Sequence, residues 1–295
     1  MKVETMQDDA ENPRPTLLAV LAHPDDETFG MGGTLALYAR RGVSVHLVCA
    51  TRGEVGTVDA DCLEGYASVG DLREAELLCA AGKLGLAGIH FLDYRDSGMP
   101  GSADNQHPQA LAAAPRGEVV RKVVEAIRSI RPQVVITFDP IGGYRHPDHI
   151  AIQQATVEAY AAAGDPDRFP ECQPIYTPQR LFFSTMSRAF LRLVVRILPV
   201  FRQDPHHYGR NHDIDLASLA IEDFPVNAVI DYAPVAPVRA QAAACHASQG
   251  GAAMTRGIQA WVMRFNRSRE LFMQASPPPN GKVERDLFAG VDVYR

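Results

Sequence analysis

Four short apolar runs alternate with segments of helical periodicity, and that alternation leaves little choice of fold. Leu17 to Ala22 (LLAVLA), Val43 to Ala50 (VSVHLVCA), Ile89 to Leu92 and Val134 to Phe138 (VVITF) have the length of buried strands. Helical spacing is carried by Thr28 to Arg41, Asp71 to Leu84, Gly117 to Ile130 and Pro147 to Ala163, with Gly42 and Gly85 stopping the first two. Such strands pair in parallel through right-handed crossovers. The expected fold class is α/β and Rossmann-like: a mostly parallel sheet with helices on both faces. Its active site is expected at the C-terminal strand ends. Short strands at Arg180 to Ser184 and Val226 to Ile230 extend the sheet.

One domain is expected over 16–275, after a flexible, acidic lead-in over 1–15 and before an extended tail over 276–295. The chain has 295 residues, 46% hydrophobic and 22% charged, as in ordinary globular proteins. A net charge of -6 argues against nucleic acid as a partner. The start lacks a signal peptide, and no stretch is long and apolar enough to span a bilayer; a cytoplasmic protein is the expectation. Ala189 to Phe201 comes nearest, but Arg192 and Arg196 interrupt it and form a basic stripe with Arg188. That helix packs on the core, caps the site, meets a partner subunit in a homo-oligomer or lies on a membrane surface. The five cysteines are scattered, lack a C-x-x-C pair and read as free thiols, Cys49 in the core. The long loop Arg95 to Pro115 is expected to be functional or mobile.

Chemistry concentrates at two places. Ala22-His23-Pro24-Asp25-Asp26-Glu27 directly follows the first strand, and His146-Pro147-Asp148-His149 shortly follows the fourth. Zinc accepts imidazole nitrogen and carboxylate oxygen, and a catalytic site keeps one position open. Neither motif alone fills such a site. Each alone also reads as a helix start, with Asp25 or Asp26 as a cap, or Pro147 in the first turn. In a sheet of order 3-2-1-4-5 both motifs overhang the crevice where strand order reverses. Gly30-x-Gly32-Gly33 departs from the dinucleotide spacing G-x-G-x-x-G and reads as allowing close helix–sheet packing.

AHPDDE followed by HPDH resembles the LmbE/PIG-L family of N-acetylglucosaminyl deacetylases. Thr51-Arg52-Gly53-Glu54, Leu72-Arg73-Glu74-Ala75-Glu76, Asp96-Ser97-Gly98-Met99, Gly143-Tyr144 and His246-Ala247-Ser248-Gln249 extend the likeness over roughly residues 16 to 275. The resemblance implies that His23, Asp26 and His149 bind the metal, Zn2+ or alternatively Fe2+. Asp25 would be the general base, His146 the acid or oxyanion partner, and Tyr144 an assistant. Arg73, Asp96 and His246 would lie near the substrate, a small amino-sugar conjugate. Glu27 would support the site or cap the following helix, and Asp148 would orient a histidine. Hydrolysis of an N-acetyl amide is the implied reaction. The alternatives are an amidase for a larger acyl group on a glucosamine-thiol conjugate, and a non-catalytic metal- or sugar-binding protein.

Overall fold

In a computed structural model of the chain, residues 14–209, 213–251 and 268–293 are described. Trp261, expected to pack on a helix, His212 and most of the N-terminal lead-in lie outside these. Among the described residues seven strands form one sheet: β1 (Thr16–Leu21), β2 (Ser44–Thr51), β3 (Gly88–Tyr94), β4 (Val134–Phe138), β5 (Arg180–Thr185), β6 (Ala228–Asp231) and β7 (Arg269–Ser276). Their order is β3-β2-β1-β4-β5-β7-β6, so the expected 3-2-1-4-5 core is present, with strand order reversing between β1 and β4. The first five pair in parallel, and β7 pairs antiparallel with both β5 and β6.

The helices are α1 (Asp26–Arg40), α2 (Val69–Leu84), α3 (Arg116–Ile130), α4 (Gly142–Arg145), α5 (Pro147–Ala162), α6 (Arg188–Ile197), α7 (Leu216–Leu219) and α8 (Ala236–Cys245). α1 and α2 pack with α8, and α3 packs with α5. Right-handed crossovers on either side of the reversal put these two groups on opposite faces of the sheet. β1 and β4 are buried along nearly their whole length, as strands covered on both faces must be. Their register, Leu17 with Val134 and Ala19 with Ile136, brings the segments after both strands to the same end of the sheet.

β7 is absent from the sequence reading for a physical reason. Its buried phase is Glu270, Phe272 and Gln274, so two of the three inward positions are polar. Their partners lie far away in sequence: Gln274 accepts from Arg180, and Glu270 accepts from the amides of Gly33 and Thr34. Those amides are free because α1 breaks at Met31 (φ -152°, ψ 17°). Of the three glycines of this run, Gly33 alone is tightly enclosed: an added Cβ would sit 2.1 Å from the ring of Tyr232, the residue after β6, while one at Gly30 would meet nothing within 4 Å. After Pro277 the chain turns back: Asp286 accepts from the Tyr38 hydroxyl at 2.7 Å, and Leu287 is fully buried.

The α6 stripe divides. Arg188 is buried and donates to the Leu219 carbonyl, while Arg192 and Arg196 are exposed. Leu191 and Val195 of this helix belong to a small apolar cluster with Tyr144, Ile141 and Leu219, so α6 braces the loop after β4.

The free-thiol reading needs correction. Cys79 on α2 and Cys245 at the end of α8 form a disulfide across 166 residues, leaving Cys49, Cys62 and Cys172 free. Only the packing of α2 on α8 brings the pair together, so local spacing carried no sign of it. In denaturant without reductant, thiol titration is expected to find the three free cysteines, and all five after reduction. Five thiols before reduction would show that the bridge does not form.

Candidate active site

The turn after β1 is unusual at one residue. Asp25 has φ 115°, a conformation non-glycine residues adopt only when their surroundings impose it. Its carbonyl accepts from the amides of Thr28 and Phe29 and so starts α1. Its amide donates to Glu27 Oε2 at 2.9 Å. The Asp25 carboxylate makes no capping bond, although it occupies the cap position. It turns instead to the cleft, where Arg73 Nη2 lies 3.1 Å from Oδ2. The second motif serves both of its readings. His146 caps α5, accepting on Nδ1 from the Asp148 amide at 3.2 Å, with Pro147 in the first turn.

His23, Asp26 and His149 converge. His23 Nδ1 and His149 Nε2 are 3.2 Å apart, and Asp26 places Oδ1 3.3 Å from His149 Nε2 and Oδ2 3.6 Å from His23 Nδ1. The far nitrogen of each ring is already engaged. His149 Nδ1 lies 3.1 Å from the Gly142 carbonyl, which can only accept, so that nitrogen carries the proton. His23 Nε2 lies 3.2 Å from Asp148 Oδ2 and 3.5 Å from Asp96 Oδ1. In the neutral rings, therefore, the facing nitrogens are both lone pairs, and a carboxylate joins them. Such a cup repels itself unless a cation or a proton sits in it. The spacing suits a metal: tetrahedral ligands at about 2.0–2.1 Å stand about 3.3 Å apart. His23 makes the same point. Burial opposes its charge, but Asp96, Asp148 and Asp26 outweigh that and hold its pKa well above the usual value.

Among the described residues, two wider groupings also bring metal-capable atoms together: His23 with His146 and His149, and His23 with Asp96, His146 and Asp148. Asp148 is already engaged elsewhere, accepting from the Ser97 amide at 2.8 Å and from the Ser97 hydroxyl. In the set His23, Asp26 and His149 the facing atoms lie 3.2–3.6 Å apart, and each residue has an outer partner that orients it.

Above this cup lies a cleft of about 380 Å3, and His23, Asp25, Arg73, Asp96, Tyr144 and His146 all face it. Burial raises the Asp25 pKa to about 6; Arg73 counteracts this and Asp26 adds to it. Burial, with His23 and His149 nearby, pushes His146 down to about 2. As a neutral imidazole, His146 accepts on Nδ1 from the Asp148 amide and donates from Nε2. Burial holds the Tyr144 phenol well above its usual range, so it keeps its proton. Asp96 is held well below the usual carboxylate range, burial being outweighed by His23.

The loop carrying Tyr144 is shaped by Asp139, whose Oδ1 accepts from the amides of Ile141 and Gly143. Gly142, at φ 65°, lies so close to His149 that a Cβ would come within 2.8 Å of the histidine's own. Arg73 is similarly enclosed. It donates to the carbonyls of Gly53 and Pro24, and a Cβ on Gly53 or Gly56 would strike its guanidinium.

His246 is the expected substrate residue that the structure does not bring to the cleft. It is fully buried behind the turn, with Nε2 2.7 Å from Glu27 Oε1. Glu27 serves both readings, its Oε2 capping the Asp25 amide at the start of α1 and its Oε1 meeting His246, and the histidine that Asp148 meets is His23. Ser97 and Gln249 received no individual role from the motifs. Ser97 is recognisable only through its contact with Asp148, and Gln249 only through its place on the cleft wall.

A Rossmann-like sheet with a His-Asp-His cup and adjoining acid–base groups at its switch point is the architecture of a metal-assisted hydrolase. Comparison with known proteins narrows that class. Residues 18–160 match the family model PIG-L, GlcNAc-PI de-N-acetylase. A 1D-myo-inositol 2-acetamido-2-deoxy-alpha-D-glucopyranoside deacetylase of Rhodococcus erythropolis is 36% identical over 294 residues, covering 93% of this chain and 97% of the relative. This chain belongs to the PIG-L family. N,N'-diacetylchitobiose deacetylase from Pyrococcus horikoshii shares the fold, with a TM-score of 0.61 and 22% identity over 90% of this chain and 87% of that one. So does GalB, the 4-carboxy-2-hydroxymuconate hydratase of Pseudomonas putida, with a TM-score of 0.57 and 19% identity over 91% and 99%. The fold alone therefore does not choose the reaction.

Replacing Gly142 with alanine is expected to displace His149 and so weaken metal binding, probed with zinc, by about 10–100-fold. Gly143→Ala is the control: it also has positive φ, but its added carbon meets nothing within 4 Å. Equal zinc affinities for the two variants, measured by competition with a chromogenic chelator, would remove His149 from the ligand set.

Proposed function

We propose that this protein hydrolyses the N-acetyl amide of an N-acetylglucosaminyl-inositol conjugate, with zinc held by His23, Asp26 and His149. The observation that carries this reading is the cup of two imidazole lone pairs and a carboxylate, with Asp25 beside it in the same turn. The near full-length likeness to the Rhodococcus inositol-glycoside deacetylase supports the substrate class. The cleft has the volume of a small-ligand site, and Thr57, Ser102, Asp213 and Gln249 give its wall the hydrogen-bonding groups a polyol needs.

Bound in the cup, zinc supplies Lewis acidity toward a water molecule and the amide carbonyl. Asp25 accepts the proton of the attacking water, oriented by Arg73 on its Oδ2. His146, fixed by the Asp148 amide on Nδ1, presents its Nε2 proton to the developing oxyanion. Tyr144 keeps its proton and donates a hydrogen bond to the same oxyanion from the loop above. Asp25 then returns its proton to the leaving amine.

Asp25→Ala is expected to retain zinc and lose at least about 10²-fold in kcat, the usual scale for a lost general base. Primary-amine release from N-acetylglucosaminyl-inositol, with metal analysis of the same sample, measures both. Substantial turnover in this variant would remove Asp25 from the role. The pH profile follows from the same group: the reactive form is the carboxylate, so kcat/KM falls as pH drops through its pKa. That midpoint is about 6 without metal and lower with a bound cation nearby. The acid limb should therefore lie at or below about pH 6. A limb centred well above it would assign the base to another group.

A further inference from the structure

His246 and Glu27 form a buried pair that the mechanism above does not use. Both are fully buried, and His246 Nε2 lies 2.7 Å from Glu27 Oε1. The other carboxylate oxygen, Oε2, accepts from the Asp25 amide at 2.9 Å. A continuous chain of contacts thus runs from His246 through Glu27 to the backbone of Asp25. That backbone is held at φ 115°, a conformation that a non-glycine residue keeps only where its surroundings impose it. A carboxylate in a dry interior is itself costly unless its oxygens are satisfied. Thr28 donates its hydroxyl to Oε1 as well, but among the described residues only His246 ties Glu27 to a different segment of the chain.

That segment is firmly anchored. The disulfide joins Cys245, the neighbour of His246, to Cys79 on α2. One turn earlier on α2, Glu76 accepts from both the amide and the hydroxyl of Ser248, at 2.7 Å each. Gly251 closes the loop tightly, donating to the His246 carbonyl, and a Cβ there would strike the Ala243 carbonyl. The Phe29 ring packs on His246 with centroids 5.7 Å apart. The segment that carries the imidazole is thereby fixed to α2, and the ring itself meets Glu27 and Phe29 at the start of α1.

We infer that Glu27 and His246 are positioning residues for the general base: they hold Asp25 in its strained conformation and thereby aim its carboxylate at the reacting water. The inference rests on Asp25 acting as the base. Asp26 has its own anchor, since its Oδ2 accepts from the His23 amide at 2.7 Å, so loss of the pair should spare metal binding.

The experiment compares His246→Ala with His246→Gln in the full-length zinc enzyme. His246→Ala should keep its zinc content and its KM within about twofold, while kcat falls by about 10–100-fold, the scale of a misplaced reacting group. His246→Gln, which retains a side-chain N–H donor, should recover most of that loss. Peptide-level hydrogen exchange over residues 23–29 should speed up in the alanine variant and return towards normal in the glutamine variant. A raised KM with unchanged kcat would make His246 a substrate contact and overturn the inference. So would unchanged exchange over 23–29, a readout that needs no turnover. If the wild-type protein releases no amine, the deacetylase reading fails, and the exchange result alone decides whether the pair holds the turn.

Discussion

Two imidazole lone pairs and a carboxylate meet within 3.2–3.6 Å of one another where the sheet reverses its strand order. Left to itself that contact is repulsive, so the surrounding structure must hold it together. Burial alone would disperse such groups. Each ligand is instead tethered from behind: His23 by Asp148 and Asp96, His149 by the Gly142 carbonyl, Asp26 by the His23 amide. The tethers come from the segments after β1, β3 and β4, which is why the site requires the sheet and not merely the two motifs.

Neighbouring carboxylates in one turn are given different work by their surroundings. Asp26 is held well below the usual range: burial opposes this, but His149 and His23 outweigh it. Asp25 faces the cleft with Arg73 as its counter-charge and is raised to about 6, because burial dominates. One remains an anion suited to a cation, and the other has a proton affinity suited to exchange with water. A single backbone distortion at Asp25 separates the two roles.

Most of this was legible in the chain. The strand–helix alternation carried the parallel core and its order, because strands buried on both faces read as apolar runs. HPDDE and HPDH carried the cup, since residues directly after adjacent parallel strands share an end of the sheet. Three features were not legible. β7 hides its inward phase behind Glu270 and Gln274, whose partners are distant. The Cys79–Cys245 bridge depends on helix packing rather than local spacing. His246 shares a motif with cleft residues, but lies on the far side of the turn; no pattern of residue types records on which side of a buried carboxylate a histidine will sit.

The most direct test of the central claim is the position of the metal itself. A crystal of the zinc-loaded protein, with anomalous differences collected on both sides of the zinc edge, is expected to place one ion bonded to His23 Nδ1, His149 Nε2 and an Asp26 oxygen. Asp25 and His146 should stand free beside it. An ion bonded to His146, or none bound to His23 and His149 at saturating zinc, would contradict the account.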